Sequence, residues 1–119
     1  MKPAYTGMTR IWKATFNSLR GIKTAWRYEA AFRQEALMCA ALIPVALLVE
    51  ASVAERLLLI MSLFVLVITE LLNSAVEAVV DRIGAEFHEL SGRAKDIASA
   101  AVFFALLLLI VTWISILFF

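Results

Sequence analysis

The fold of this chain is decided by residues 69–81, TELLNSAVEAVVD. The stretch continues an uncharged run that begins at Leu57, yet it carries three carboxylates and an amide. These side chains recur at intervals of three, four and four residues, which places them within an arc of about 80° on one helix face. They are Glu70, Asn73, Glu77 and Asp81, and we call them the polar stripe. Ionisable groups in hydrocarbon are costly and rare, so the stripe must face partner helices, a water-filled cleft or a ligand.

The composition places the chain in a membrane. Hydrophobic residues make up 63% of its 119 residues, and the mean hydropathy is +0.89. These values are too apolar for an ordinary soluble domain of this size. The formal net charge is +1, so the total charge favours no particular partner, and we expect no nucleic-acid partner. The single cysteine, Cys39, lies in an apolar run and is expected to be a small core residue.

The chain is predicted to form one all-α membrane domain over residues 1–119. A helix over about residues 8–27 has bulky apolar side chains on one face and cations on the opposing face. This pattern is typical of a helix that lies in the membrane interface. Three apolar segments follow, and we predict transmembrane helices at about 30–49, 54–82 and 96–118.

Two side chains near the ends of these spans have expected local roles. Ser52 precedes the second span and is a candidate N-cap. Trp113 lies near the end of the third span and is typical of an aromatic anchor at the membrane surface.

The distribution of Lys and Arg predicts the orientation. Seven of the 11 lie before residue 34, whereas the first connection carries only Arg56. The second connection carries Arg82, Arg93 and Lys95. Because basic residues favour the cytoplasmic side, the N-terminus and the second connection are expected in the cytoplasm and the C-terminus outside. The polar stripe then lies in the cytoplasmic half of its helix, where it can meet a lipid headgroup and a cytosolic solute.

The carboxylates of the stripe allow two interpretations each. Glu70, the deepest, is either hydrogen-bonded to a neighbouring helix or a general base near the interface. Glu77 is expected at a similar depth to Glu29, which precedes the first span. Two carboxylates with few other ligands suit Mg²⁺. Alternatively, both are charges held by nearby arginines.

The second connection is rich in charged side chains that could either neutralise phosphates or form a solvated loop. They are Glu86, His88, Glu89, Arg93, Lys95 and Asp96. His88 has no second His or Cys partner, so no transition-metal site is predicted. The sequence contains no G-x-x-x-x-G-K-[ST], no G-x-G-x-x-G and no G-x-S-x-G motif. An enzyme of this sequence that uses a nucleotide therefore has neither a P-loop nor a protein-kinase design.

Three strings of sequence resemble the bacterial integral-membrane diacylglycerol kinases. They are EAAFRQE at 29–35, ELLNSAVEAVVDR at 70–82 and HELSGRAKD at 88–96. The resemblance implies a homotrimeric helical bundle in the bacterial inner membrane, with the N-terminus cytoplasmic, the C-terminus periplasmic and active sites shared between protomers. The activity it implies is transfer of the γ-phosphoryl group of MgATP to the free hydroxyl of diacylglycerol.

The resemblance also implies roles for individual residues. Glu70 is the expected general base, Asn73 and Glu77 complete the catalytic set, and Glu29 and Glu77 are the expected Mg²⁺ ligands. The residues expected to bind ATP and its metal are Arg10, Glu29, Glu77, Glu86, His88, Lys95 and Asp96. The residues expected to bind substrate are Arg10, Ala14, Thr15, Phe16, Asn17, Ser18, Leu19, Lys23, Thr24, Ala25, Trp26, Ala31, Phe32, Arg33, Gln34, Glu35, Glu70 and Ser99. Relatives can carry an aromatic residue at position 17, so a stacking contact with the nucleotide is not carried over to Asn17.

Two other functions remain open at this stage. An undecaprenol kinase of the same family would use the same phosphoryl-transfer residues, so only an assay with each acceptor separates the two. A small proton or ion channel, or a transporter, would use the polar stripe as an ion relay and would consume no ATP.

Overall fold

A computed structural model describes residues 5–84, 86 and 88–119, and all the secondary structure in them is helical. The helices are α1 (Gly7–Tyr28), α2 (Ala30–Leu48), α3 (Val53–Ile83) and α4 (Glu89–Phe118). The first four residues of the predicted domain, and residues 85 and 87 of the second connection, lie outside the described residues. Helices α2, α3 and α4 are each long and apolar enough to cross a membrane. The expected all-α membrane architecture is thus confirmed.

One extended residue separates α1 from α2. Glu29 has φ −116° and ψ 103°, so it ends the first helix and precedes the second. Its N–H still donates to the carbonyl of Ala25 at 2.9 Å, and its own carbonyl accepts from the N–H of Arg33 at 3.1 Å. Both helices therefore keep their terminal hydrogen bonds although the chain turns within a single residue. This corner holds the carboxylate of Glu29 where the surface helix meets the first span.

The turn between α2 and α3 is held by caps at both helix ends. Ser52 forms a reciprocal capping box with Glu55, which confirms the expected N-cap. The guanidinium of Arg56 caps the C-terminus of α2, because it donates to the carbonyls of Ala46 at 2.7 Å and Leu47 at 2.8 Å. A cation is well placed there, since the C-terminus of a helix carries partial negative charge.

Helix α3 lies at the centre of the core. Leu59, Leu63 and Leu66 are almost fully buried along one side of it. Residues of α2 and α4 pack around these leucines in the same cluster. They include Cys39 and Ala46 of α2 and Ala105 and Leu109 of α4. The expectation that Cys39 is a core residue is confirmed. Leucines three and four positions apart form one face of a helix, so the core side of α3 follows from its sequence spacing.

Trp113 belongs to this core, and the predicted role as a membrane-surface anchor is wrong. Only 7% of its surface is exposed. Its indole N–H donates to Ser62 Oγ at 3.0 Å and to the carbonyl of Leu59 at 3.3 Å. The Ser62 hydroxyl already donates to the carbonyl of Leu59 at 2.7 Å, so the group that gains its partner from these bonds is the buried indole N–H. The indole therefore links α4 to α3.

Most of the apolar surface of the single chain is left uncovered. Large hydrophobic side chains are exposed on all four helices, and α1 extends along the end of the bundle with only Ala25 buried. Such extensive exposure is incompatible with a soluble monomer and requires a bilayer, further copies of the chain, or both.

We expect Trp113→Phe to lower the free energy of unfolding in detergent micelles by about 1–2 kcal/mol, because it removes the hydrogen bonds between α4 and α3 while keeping an aromatic ring. Trp12→Phe is the matched control, since Trp12 is 65% exposed on α1. Equal stability of the two variants would show that the indole bond does not stabilise the helix pair.

Candidate functional site

Glu70 is the buried member of the polar stripe. It lies on α3 just beyond the apolar core, and only 3% of its surface is exposed. The rest of the stripe becomes progressively more open towards the end of the helix, since Asn73 and Glu77 are half-buried and Asp81 is exposed. The stripe therefore runs from the protein interior to its surface and does not face lipid at its deep end.

Three other carboxyl groups surround Glu70. Glu35 on α2 lies against it, and the carboxylates of Glu77 and Glu29 lie within electrostatic range. In the part of the chain that the structure describes, none of these four groups forms an ion pair with Lys or Arg. Like charges this close repel one another unless a cation or a proton is present. The alternative in which nearby arginines hold Glu29 and Glu77 is therefore not found among the described residues.

Arg33 contacts backbone carbonyls of α1 and not the carboxylates. Its guanidinium donates to the carbonyl of Trp26 at 2.8 Å and to that of Arg27 at 3.2 Å. It thus caps the end of α1 from the first turn of α2. Its role in the single chain is to fix the angle between these two helices, and with it the position of Glu29.

Asn73 orients the carboxylate of Glu77. Its side-chain amide donates to Glu77 Oε1 at 2.9 Å, one helical turn away. Two other oxygens in this region, Asn73 Oδ1 and Glu35 Oε2, are buried without a hydrogen-bond partner. Buried polar atoms rarely stay unpaired, so these two atoms indicate that the site receives a further group.

The carboxylates fit a magnesium ion by their chemistry. Mg²⁺ commonly takes one or two protein carboxylates and completes its shell with water and phosphate oxygens. Glu29 and Glu77 both lie within electrostatic range of Glu70, and the amide of Asn73 contacts only one oxygen of Glu77. Among residues 5–84, 86 and 88–119, no group of three or more His, Cys, Asp or Glu is arranged to hold a metal. An ion here would therefore need ligands from its substrate.

A cavity of about 700 Å³ opens beside these carboxylates, between α1 and α3. Its lining residues are Ser18, Gly21, Ile22, Thr24, Ala25, Tyr28, Glu29, Leu71, Ser74, Ala75 and Ala78. The lining is mostly apolar, and Glu29 is its only charged member among the described residues. The volume lies within the range of small-molecule sites. A lipid group in this cavity would reach the carboxylates without crossing water.

A second cavity, of about 430 Å³, is polar and lies where α3 ends and α4 begins. It brings together three residues expected to bind ATP, namely Glu86, His88 and Lys95. The ammonium of Lys95 lies 2.7 Å from a carboxylate oxygen of Asp81, and the exposed fractions of the two side chains are 42% and 68%. His88 caps α4, because its Nδ1 accepts the N–H of Leu90 at 3.1 Å. A solvated ion pair of this kind is weak, so an anionic ligand can compete for the ammonium.

Other residues expected at the site are not brought together within the single chain. Arg10 and Asp96 are exposed and lie outside the lining of the polar cavity. Of the residues expected to bind the lipid, Ser18, Thr24 and Ala25 line the apolar cavity. Phe32 is buried, and Arg33 and Glu35 are half-buried. The remaining ones are exposed outside that lining: Ala14, Thr15, Phe16, Asn17, Leu19, Lys23, Trp26, Ala31, Gln34 and Ser99. Asn17 accepts a hydrogen bond from Arg20 on the same helix.

Sequence reasoning missed the α3 wall of the apolar cavity. Ser74, Ala75 and Ala78 are small, and they lie on α3 between the carboxylates of the stripe. The signal was present, because small residues three and four positions apart leave room along one face of a helix. It also missed the contact between Glu35 and Glu70, which depends on how α2 packs on α3.

Comparisons with known proteins match nearly the whole chain. A family model described as prokaryotic diacylglycerol kinase matches residues 16–117. A protein of Escherichia coli (strain K12) named diacylglycerol kinase is 51% identical over 108 residues, 91% of this chain and 88% of the relative. The Haemophilus influenzae protein of that name is 49% identical over 114 residues, 96% of this chain and 97% of the relative. The one from Pseudomonas aeruginosa is 53% identical over 112 residues, 94% of this chain and 91% of the relative.

We expect Arg33→Met to increase hydrogen exchange of the amides in the last turn of α1, because the carbonyls of that turn lose their cap. Arg20→Met is the matched control, since Arg20 contacts only its own helix through Asn17. Exchange measured by mass spectrometry in micelles checks this, and unchanged protection in Arg33→Met would contradict the capping role.

Proposed function

This chain belongs to the prokaryotic diacylglycerol kinase family, and on that premise we propose that the carboxylates around Glu70 form its active site. The chain is a membrane enzyme that phosphorylates diacylglycerol with ATP. The observation that carries the assignment of the site is the burial of Glu70 next to Glu29 and Glu77, beside an open apolar cavity. The expectation of a lipid phosphotransferase is confirmed, and the channel hypothesis is set aside.

The two substrates set the depth of the site. Diacylglycerol is nearly uncharged and remains in the bilayer, whereas ATP is highly charged and remains in water. Moving either one far into the other's medium has a large desolvation cost. A site at the membrane interface avoids this cost. The apolar cavity beside α1 and the polar cavity at the start of α4 offer the two environments at neighbouring parts of α3.

Glu70 acts as the general base in this proposal. The hydroxyl oxygen of diacylglycerol attacks the γ-phosphorus as the bond to the bridging oxygen of ADP breaks. The hydroxyl proton passes to the carboxylate of Glu70, and ADP and phosphatidic acid leave. Phosphoryl transfer depends mostly on positioning and charge neutralisation. The burial of Glu70 limits the access of water, which would otherwise accept the phosphoryl group.

Glu29 and Glu77 would hold Mg²⁺ together with the phosphates of ATP, and Asn73 keeps the carboxylate of Glu77 in one orientation. The metal supplies charge neutralisation for the triphosphate. Glu29 is suited to this role because it sits at the corner between α1 and α2 and is fixed by backbone hydrogen bonds on both sides.

The nucleotide would enter from the polar cavity. Lys95 supplies a positive charge for the phosphates as it leaves Asp81, and Glu86 and His88 line the same cavity. Asp81 and Glu70 are separated by eleven residues of α3, which is about 16 Å along the helix. Arg10 and Asp96 stay outside the cavity lining. This separation and the position of Arg10 and Asp96 leave the expected ATP contacts incomplete within one chain. They support active sites shared between protomers of a homotrimer, in which a neighbouring chain supplies part of the contacts.

The proposed function also implies how the chain is oriented in the membrane. An ATP site in the cytoplasm requires α1 and the connection between α3 and α4 on the cytoplasmic side of the inner membrane, with the C-terminus in the periplasm. The excess of Lys and Arg at the N-terminal side supports this orientation.

The acceptor test uses purified full-length protein in mixed micelles with labelled ATP, Mg²⁺ and either diacylglycerol or undecaprenol. We expect label in phosphatidic acid and little in undecaprenyl phosphate. Preferential labelling of undecaprenol would contradict diacylglycerol as the acceptor while leaving the phosphoryl-transfer site intact.

Glu70→Gln is expected to lower kcat by about 10²–10⁴-fold, because an amide cannot accept the hydroxyl proton. The oligomer should stay intact, since the two side chains have nearly the same shape. Glu50→Gln, at an exposed position in the turn after α2, serves as the matched control and should keep full activity. Full turnover in Glu70→Gln would exclude Glu70 as the base.

Asn73→Ala is expected to raise the Mg²⁺ concentration needed for half-maximal velocity by about 10- to 100-fold, because Glu77 loses the donor that orients it. Thr69→Ala removes a polar side chain from the same helix without touching Glu77, since Thr69 bonds to carbonyls of its own helix. Mg²⁺ titrations of initial rate compare the two variants. An equal shift in both, or none in Asn73→Ala, would count against the orienting role.

A further inference from the structure

Helix α1 carries a row of basic side chains that the proposed active site does not use. Lys13, Arg20 and Arg27 recur at intervals of seven residues, so they fall within an arc of about 40° on one face of the helix. All three residues are exposed, and we call them the basic row. None of them is among the residues expected to bind ATP or diacylglycerol, so their presence needs another explanation.

The charges of the basic row are not neutralised within the chain. Helix α1 contains no Asp or Glu, and none of the three residues forms an ion pair with a carboxylate in the described part of the chain. Lys13 Nζ instead lies 5.5 Å from the ring centroid of Tyr5, and Arg27 Cζ lies 5.4 Å from that of Tyr28. Contacts with neutral rings leave the positive charges available to an anionic partner.

The spacing of the row indicates a partner with repeated negative charges. Seven residues of helix rise by about 10 Å, so the row is about 21 Å long from Lys13 to Arg27. The triphosphate of a single nucleotide is compact and cannot contact all three positions at once. Phosphates in an extended array are found on a membrane surface with anionic lipids and on nucleic acids.

The apolar side chains next to the row favour the membrane. Trp12, Phe16 and Leu19 lie on the neighbouring face, centred about 70° from the row, and they are 65%, 47% and 56% exposed. A helix in the membrane interface places such side chains among lipid tails, while adjacent basic side chains reach the headgroups. A nucleic acid bound to the row would leave the apolar face in water. Only Ala25 of α1 is buried within the chain, so the rest of the helix is free to contact lipid.

We propose that the basic row is a docking surface for the anionic phospholipid headgroups of the bilayer. The phosphates of these lipids neutralise Lys13, Arg20 and Arg27 and hold α1 at the level of the headgroups. The attraction is electrostatic, and each basic residue close to an anionic membrane surface strengthens binding by about fivefold. The inference does not depend on the proposed function, because the three residues lie outside the proposed active site and the lipid is not the phosphoryl acceptor.

The test measures which lipid surrounds α1 in vesicles. Trp12 and Trp26 are exposed on this helix, whereas Trp113 is buried in the core, so a lipid with brominated chains quenches mainly the fluorescence of α1. The full-length protein is reconstituted in mixtures of phosphatidylglycerol and phosphatidylcholine, with one or the other lipid brominated. The ratio of the two quenching efficiencies gives the enrichment of anionic lipid beside the helix.

We expect an enrichment of about fivefold at about 0.1 M NaCl, which falls below about twofold at about 1 M NaCl because salt screens the attraction. This titration uses the unmodified protein, so its result does not depend on the folding of a variant. Equal quenching by the two lipids at low salt would overturn the inference.

Lys13→Gln/Arg20→Gln should lower the enrichment at low salt to less than about twofold, because two of the three charges are lost while glutamine keeps a high helix propensity. Arg82→Gln/Arg93→Gln is the matched control, since it removes the same charge from exposed positions outside α1, and it should keep the enrichment.

Two further outcomes would overturn the assignment to the basic row. One is an equal loss of enrichment in both double variants. The other is binding of single-stranded RNA by the unmodified protein in phosphatidylcholine vesicles that only Lys13→Gln/Arg20→Gln abolishes, because the partner of the row would then be a nucleic acid.

Discussion

The cost of placing carboxyl groups in an apolar helix governs this structure. Glu70 is almost fully buried at the end of the leucine core of α3, where hydrocarbon would tolerate it only at considerable free energy. The chain meets this constraint by packing α2 and α4 against α3, with α1 in contact with α2. The group is thus enclosed by protein, and its neighbours are further carboxyls and not lipid tails. A site with this much uncompensated negative charge is suited to bind cations.

The rest of the fold fixes the positions of these carboxyls relative to one another. The single extended residue Glu29 turns the chain from the surface helix into the first span, and Arg33 caps the helix that ends there. At the opposite end, Arg56 of α3 donates to the last turn of α2, and the indole of Trp113 on α4 donates to Ser62 on α3. These hydrogen bonds connect the three spans. The capped helix ends and the apolar core make one end of the three spans rigid. The opposite end, where Glu70 and the cavities lie, can then stay open as a binding site on a rigid scaffold.

The open end has two unlike cavities along one helix. On the α1 side the walls are apolar and small, whereas on the α4 side they carry acidic, basic and imidazole groups. In the proposed function, these two cavities are how one short membrane chain serves a lipid and a nucleotide without a P-loop. The single chain leaves extensive apolar surface uncovered, and Arg10 lies apart from the other residues expected to bind ATP.

The sequence by itself determined the helical membrane fold, the three spans, the N-cap at Ser52 and the polar stripe, because all of these depend on local periodicity and composition. The family strings also predicted Glu29, Glu70 and Glu77 as site residues, and this stays a prediction. Only the tertiary structure decided that Trp113 is a core residue, that Glu35 lies against Glu70, and that small residues of α3 leave a cavity facing α1. These facts depend on the relative positions of helices far apart in the chain, and the period of a helix shows which residues share a face but not which helix that face meets.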